Sequence, residues 1–140
     1  MMKTIIALIL AVIFLFISII HVYWAFGGKW GSGSVIPTKD NHTKVAMPGV
    51  LPTLIVAAGL FLFALFVLVK ARLINIVLPA WFNNYGLYIL AGIFIVRAIG
   101  DFNYVGFFKK IKSTKFAQQD TKFYTPLCLL IGLLAIVLAN

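Results

Sequence analysis

Residues 4–28 read TIIALILAVIFLFISIIHVYWAFGG, without a single lysine, arginine, aspartate or glutamate. A membrane-crossing helix needs about 20 mainly apolar residues to span roughly 30 Å of hydrocarbon. This stretch is long enough. Three more uncharged stretches follow, at residues 45–69, 73–96 and 123–140. Trimmed at glycine and proline, the four predict helices over 5–26, 51–69, 83–100 and 125–139. Pro48 and Pro52 suit the start of the second helix, and Pro126 suits the first turn of the fourth, with Thr125 as its N-cap. Pro79, Trp81, Asn83 and Asn84 mark the interfacial approach to the third.

The composition of the whole chain agrees. Of 140 residues, 63% are apolar and 11% charged, and the mean hydropathy is +1.08. Soluble domains carry about 25% charged residues, and disordered chains are less apolar still. Both classes are excluded. The expected fold is an all-α integral membrane protein, a four-helix transmembrane bundle forming one membrane domain over residues 1–140. The first helix is read as a retained span, because the bulky Val22, Tyr23, Trp24 and Phe26 offer no small-x-small cleavage site.

In lipid, helices associate by close packing of small residues rather than by hydrophobic exclusion. Cys128, Gly132, Ala135 and Ala139 form such a stripe on the fourth helix. Ala57, Ala58 and Gly59 are the counterparts on the second, and Gly86, Ala91, Gly92 and Gly100 on the third. A lone cysteine excludes a disulfide framework within the chain, and Cys128 reads as a small hydrophobe.

The net charge of +9 does not point to nucleic acid, because the cations gather in the connections between spans. Alternating helix direction places loops 27–50 and 101–123 on one side and both termini on the other. Lys29, Lys39, Lys44, Lys109, Lys110, Lys112, Lys115 and Lys122 lie on the first side, against Lys3, Lys70 and Arg72 on the second. The positive-inside bias makes the two loops cytoplasmic in a multi-pass cell-membrane protein. In the second loop, Phe107, Phe108, Ile111 and Phe116 interleave with four lysines. That mixture fits either a segment in the headgroup layer or a solvated loop.

Polar residues that a span does not require converge on the same side. They are His21, Tyr23, Trp24 and Trp30 after the first helix, Arg97 and Asp101 closing the third, and Asp120 and Tyr124 before the fourth. Arg97 and Asp101, four residues apart, read either as an ion pair along one helix or as a donor fork for a ligand. His21 is either hydrogen-bonded locally or available for acid–base chemistry, with Asp101 or Asp120 to orient it. Trp30 follows a glycine-rich turn and reads as an interface anchor. No metal-ligand spacing, catalytic triad or phosphate loop occurs, so no metal and no cofactor are expected and no catalytic residue is assigned.

Four strings carry a family resemblance. They are HVYWAFGGKWG at 21–31, MPGVLPT at 47–53, RAIGDFNYVGFF at 97–108 and FAQQDTKFYTPLC at 116–128. In this order they resemble the bacterial domain-of-unknown-function 3995 family of short integral membrane proteins, with Thr125 where serine is more usual. The resemblance implies a four-helix membrane protein and carries no activity, cofactor or catalytic residue.

Three functions are compatible with these features. The first is a small membrane protein that binds a lipid or other amphiphile in a pocket at the loop face, with aromatics on the apolar part and Arg97 and His21 on the head. The second is a structural or accessory subunit of a membrane complex, packed through its small-residue stripes. The third is a dimeric small exporter, disfavoured because the chain has no glutamate.

Overall fold

The computed structural model describes residues 1–42, 44 and 46–140. Thr43 and Val45, and with Val45 the start of the second uncharged stretch, lie outside the described residues. The described residues are all-helical in their regular structure, with four helices among them long and apolar enough to cross a membrane. These are α1 (Met2–Ala25), α2 (Val50–Lys70), α3 (Ala80–Ile99) and α4 (Lys115–Ala139). A 3-10 turn, Ser32–Ser34, lies in the first connection.

The helices pair as hairpins. α1 packs along α2, α3 packs along α4, and α1 also meets α4. Phe14 of α1 anchors the centre, its ring 5.7 Å from that of Phe63 on α2 and 5.5 Å from that of Phe94 on α3. Tilted ring pairs at such distances are favourable beyond simple burial. Leu10, Val67, Leu90 and Ile131 fill the space around it. Ser18 donates a buried hydrogen bond to the Ala57 carbonyl at 2.8 Å, tying α1 to α2.

Small residues act unequally. Gly132 lets α3 come close: a Cβ there would lie 2.6 Å from Ile95 Cγ1 and 3.3 Å from the Ala91 carbonyl oxygen. Gly86 makes room for the Phe66 ring in the same way. Gly59 and Gly92, by contrast, face open space, and Ala58 is exposed. They are not contact residues between the helices of one chain.

All four helices start before the residues expected from the sequence, α1 at Met2 rather than Ile5 and α2 at Val50 rather than Leu51. α3 begins at Ala80, directly after Pro79 at the N-cap position, rather than at Asn83. The larger change is in α4. Its regular last segment, Thr125–Ala139, is the span expected from the sequence, but the helix starts earlier, at Lys115. There it lies under a Thr114 cap whose hydroxyl accepts from Ala117 N–H at 3.1 Å, so Thr125 is not an N-cap. Pro126 therefore sits well inside a helix, where it has no N–H to give and its ring crowds the carbonyl four residues back. The helix widens to a π turn, Asp120–Tyr124, just before it. Thr125 N–H then bonds Asp120 O, and the regular helix Thr125–Ala139 resumes.

The two long connections touch. Asn41 Nδ2 donates to the Ser113 carbonyl at 3.3 Å, and its Oδ1 accepts from Lys115 N–H at 3.1 Å. The loop after α1 and the loop before α4 thus share one face.

Candidate functional site

The site begins where α3 stops. Gly100 has φ +88° and Gly106 has φ +91°, a region that side chains rarely adopt. The two glycines lie against each other's backbone, so that a Cβ on Gly100 would strike the Val105 carbonyl and one on Gly106 the Ile99 carbonyl. Phe107 N–H closes the fold-back by donating to Ala98 O at 2.9 Å.

Asp101 lies inside this turn. Its Oδ1 accepts the backbone N–H groups of Asn103, Tyr104 and Val105 at 2.9, 2.7 and 3.0 Å. Those donors hold its carboxyl below the usual carboxylate range. Asp101 does not pair with Arg97, as the four-residue spacing suggested. The reason is local: the helix ends at Ile99, so Asp101 is no longer on Arg97's helical face.

Arg97 pairs with Asp120 instead, Nη2 to Oδ1 at 2.8 Å. Asp120 is fully buried and opens the π turn of α4. Its Oδ2 accepts from Gly106 N–H at 2.8 Å and from Lys109 Nζ at 3.1 Å. Lys109 is itself buried, and its ammonium also donates to Gly106 O at 2.9 Å and Thr121 Oγ1 at 2.6 Å. Three donors thus meet three acceptors, the condition for a tolerable buried charge. Arg97 differs: its Nη1 is buried without a partner among the described residues, although the side chain is 33% exposed. Thr125 Oγ1, next along the π turn, is likewise buried without one. Two cations and one carboxylate leave the cluster with a surplus positive charge.

The remaining candidates form a separate group on α1. His21 Nδ1 lies 2.8 Å from the Ile17 carbonyl, which can only accept, and the ring meets Trp24 edge-on at 5.2 Å. Trp24 Nε1 donates to Trp30 O at 2.8 Å, and Trp30 N–H lies 3.4 Å from the Tyr23 hydroxyl. Tyr23, Trp24 and Trp30 therefore brace the turn after α1. Among the described residues His21 has no bond to Arg97, Asp101 or Asp120, because it belongs to the other hairpin. Tyr124 is half-buried, its ring 6.1 Å from that of Phe116.

The structure thus brings together Arg97 and Asp120, and it adds Lys109, Gly106 and Thr121, which the sequence reading did not single out. A lysine among Lys109, Lys110, Lys112 and Lys115 carries no signal of burial. No group of three metal-binding side chains occurs among the described residues.

A family model described as a protein of unknown function, DUF3995, matches residues 14–135. The chain belongs to the DUF3995 family. No curated protein and no solved structure matches it. The match takes in the whole Arg97–Lys109–Asp120 cluster and all but the last residues of this DUF3995 chain's fourth helix.

Proposed function

We propose that this DUF3995 protein binds a lipid or other amphiphile where α3 and α4 meet the loop face, with Arg97 holding the polar head. One observation carries the reading. Arg97 spends one nitrogen on Asp120 and keeps a second, Nη1, without a partner among the described residues, beside a cluster with one surplus positive charge. The Arg97 side chain is 33% exposed, so a headgroup oxygen approaches from that open side, and Nη1, closed to solvent, is reached by an outward turn of the guanidinium. The exposed Phe123 and half-buried Tyr124 follow Asp120 on the same π turn and offer apolar surface to an acyl chain.

The groove between α1 and α2 favours a second reading, an accessory subunit that receives a partner helix. It holds about 550 Å³ and is lined by Ser18, Ile19, Val22, Leu54, Ala58 and Phe61. Native mass spectrometry from mild detergent separates the readings. A lipid-sized adduct is expected on the wild type, with occupancy about tenfold lower or less in Arg97→Lys, which keeps a charge for Asp120 and loses the fork. Equal occupancy would remove Arg97 from the binding site. A retained foreign subunit favours the second reading, and an obligate dimer the exporter.

The same reading places the protein in a bacterial cell membrane with loops 27–50 and 101–123 cytoplasmic, supported by the excess of lysines there. Cysteines introduced at Lys39 and Ser113 in a Cys128→Ala background test this. Both should resist an impermeant maleimide in intact cells and react after permeabilisation. Labelling of both in intact cells would reverse the orientation.

A further inference from the structure

Phe102 is an anomaly. It has φ +64°, a left-handed conformation that is unfavourable for a bulky side chain, and nevertheless the residue is 56% exposed. A strained residue usually persists because its surroundings hold it there for a purpose. The surroundings here are the three N–H groups gathered by Asp101 and the close approach of Gly100 to Gly106. Their outward product is a pair of rings: Phe102 stands 6.3 Å from Phe108, itself 64% exposed. The turn that buries Lys109 thereby presents two phenyl rings at the end of a membrane helix, next to the exposed Lys110 and Lys112.

The charge around these rings is not balanced by the protein. All three acidic residues lie on this face, against nine of the twelve lysines and arginines. Asp120 is taken by Arg97, Lys109 and Gly106, Asp101 by its own turn, and Asp40 Oδ1 accepts from His42 N–H. Lys110 and Lys112 have no acceptor among the described residues, and Lys122 lies 5.2 Å over the Phe123 ring. Exposed rings seat at the boundary between acyl chains and headgroups, and lysines beside them attract anionic lipid.

We infer that the turn over residues 100–112 is a membrane wedge, seating Phe102 and Phe108 in the leaflet and gathering anionic phospholipid headgroups around Lys110 and Lys112. The inference rests on the amphiphile reading above and gives the sign of the amphiphile's charge.

The test uses the full chain in nanodiscs of phosphatidylcholine mixed equally with phosphatidylglycerol, with native mass spectrometry of the lipids that stay bound. Phosphatidylglycerol should be enriched over its bulk share, less so at high salt. Each lysine removed should lower the enrichment about fivefold, so Lys110→Gln with Lys112→Gln should abolish most of it. Phe102→Gly, which suits the positive φ and so preserves the turn, should weaken retention without lowering the thermal midpoint. Lipids retained in their bulk proportion would overturn the anionic inference and leave amphiphile binding standing. Enrichment unchanged in both variants would overturn the wedge. No retained lipid of either kind would overturn the amphiphile reading and this inference with it.

Discussion

Asp120→Asn is expected to destabilise the folded protein by about 3–5 kcal/mol, the usual cost of removing one partner from a buried ion pair. Asparagine preserves the volume and can keep the bond from Gly106 N–H through its Oδ1, but its Nδ2 then faces Arg97 Nη2, so the loss combines the missing charge with one mismatched donor. What remains is the Lys109 ammonium, buried with only neutral acceptors, and an Arg97 that has lost its counter-ion. Arg97 is partly exposed and recovers some hydration, so most of the penalty falls on Lys109. A second substitution makes this distinctive. Lys109→Met added to Asp120→Asn should restore part of the stability, because both members of the buried pair are then neutral. Thermal unfolding of the wild type, Asp120→Asn and the double variant in one detergent measures it. If Asp120→Asn unfolds with the wild type, the cluster does not hold the loop to the helices. If the double variant is worse than Asp120→Asn, the buried charge is not the source of the loss.

Gly132→Leu is expected to be the most disruptive single change between the hairpin helices. Even a Cβ at this position meets Ile95 Cγ1 at 2.6 Å and the Ala91 carbonyl oxygen at 3.3 Å. A side chain can turn aside, but a backbone carbonyl within a helix cannot, so α3 and α4 must separate. Overpacking of this kind costs about 1–3 kcal/mol where the core can adjust, and here it cannot do so locally. Leu133, one residue on, is 51% exposed and meets lipid rather than α3. Leu133→Ala should therefore change stability by no more than about 0.5 kcal/mol. Equal thermal midpoints for the two variants would mean that this face of α4 does not carry the contact. Because Arg97 and Asp120 lie on the same two helices, Gly132→Leu should also weaken the ion cluster from a distance.

Both predictions turn on residues whose roles were visible to different degrees. Gly132 stood on a small-residue stripe that the spacing alone displayed, and its partner helix was the only unknown. Gly59 and Gly92 looked the same in the sequence and face open space instead. Small residues say that a helix can be approached, and only the packing says where it is. Asp120 was among the candidate residues, but with the wrong neighbours. Arg97 and Asp101 have the right spacing for a helical pair, yet the helix ends between them. The glycine had already marked that ending at Gly100; what the sequence did not show is that the chain folds back there, with Gly100 and Gly106 against each other. Lys109 was invisible for another reason: burial of a loop lysine depends on three acceptors, and these come from the loop and from α4 together.

The sequence by itself determined the class of the fold, the four spans and the face on which the polar residues gather. Those properties depend on length and composition along one dimension, because a bilayer demands about 20 apolar residues per crossing and alternates the direction of successive helices. The tertiary structure decided which charges meet. A π turn precedes Pro126, Asp120 opens that turn as a buried residue, and it is the partner of both Arg97 and Lys109. Pairing depends on the rotation of each helix about its axis and on where a loop folds back. A shift of one residue moves a side chain by about 100° around the helix, and only contact with the neighbouring helices sets that phase.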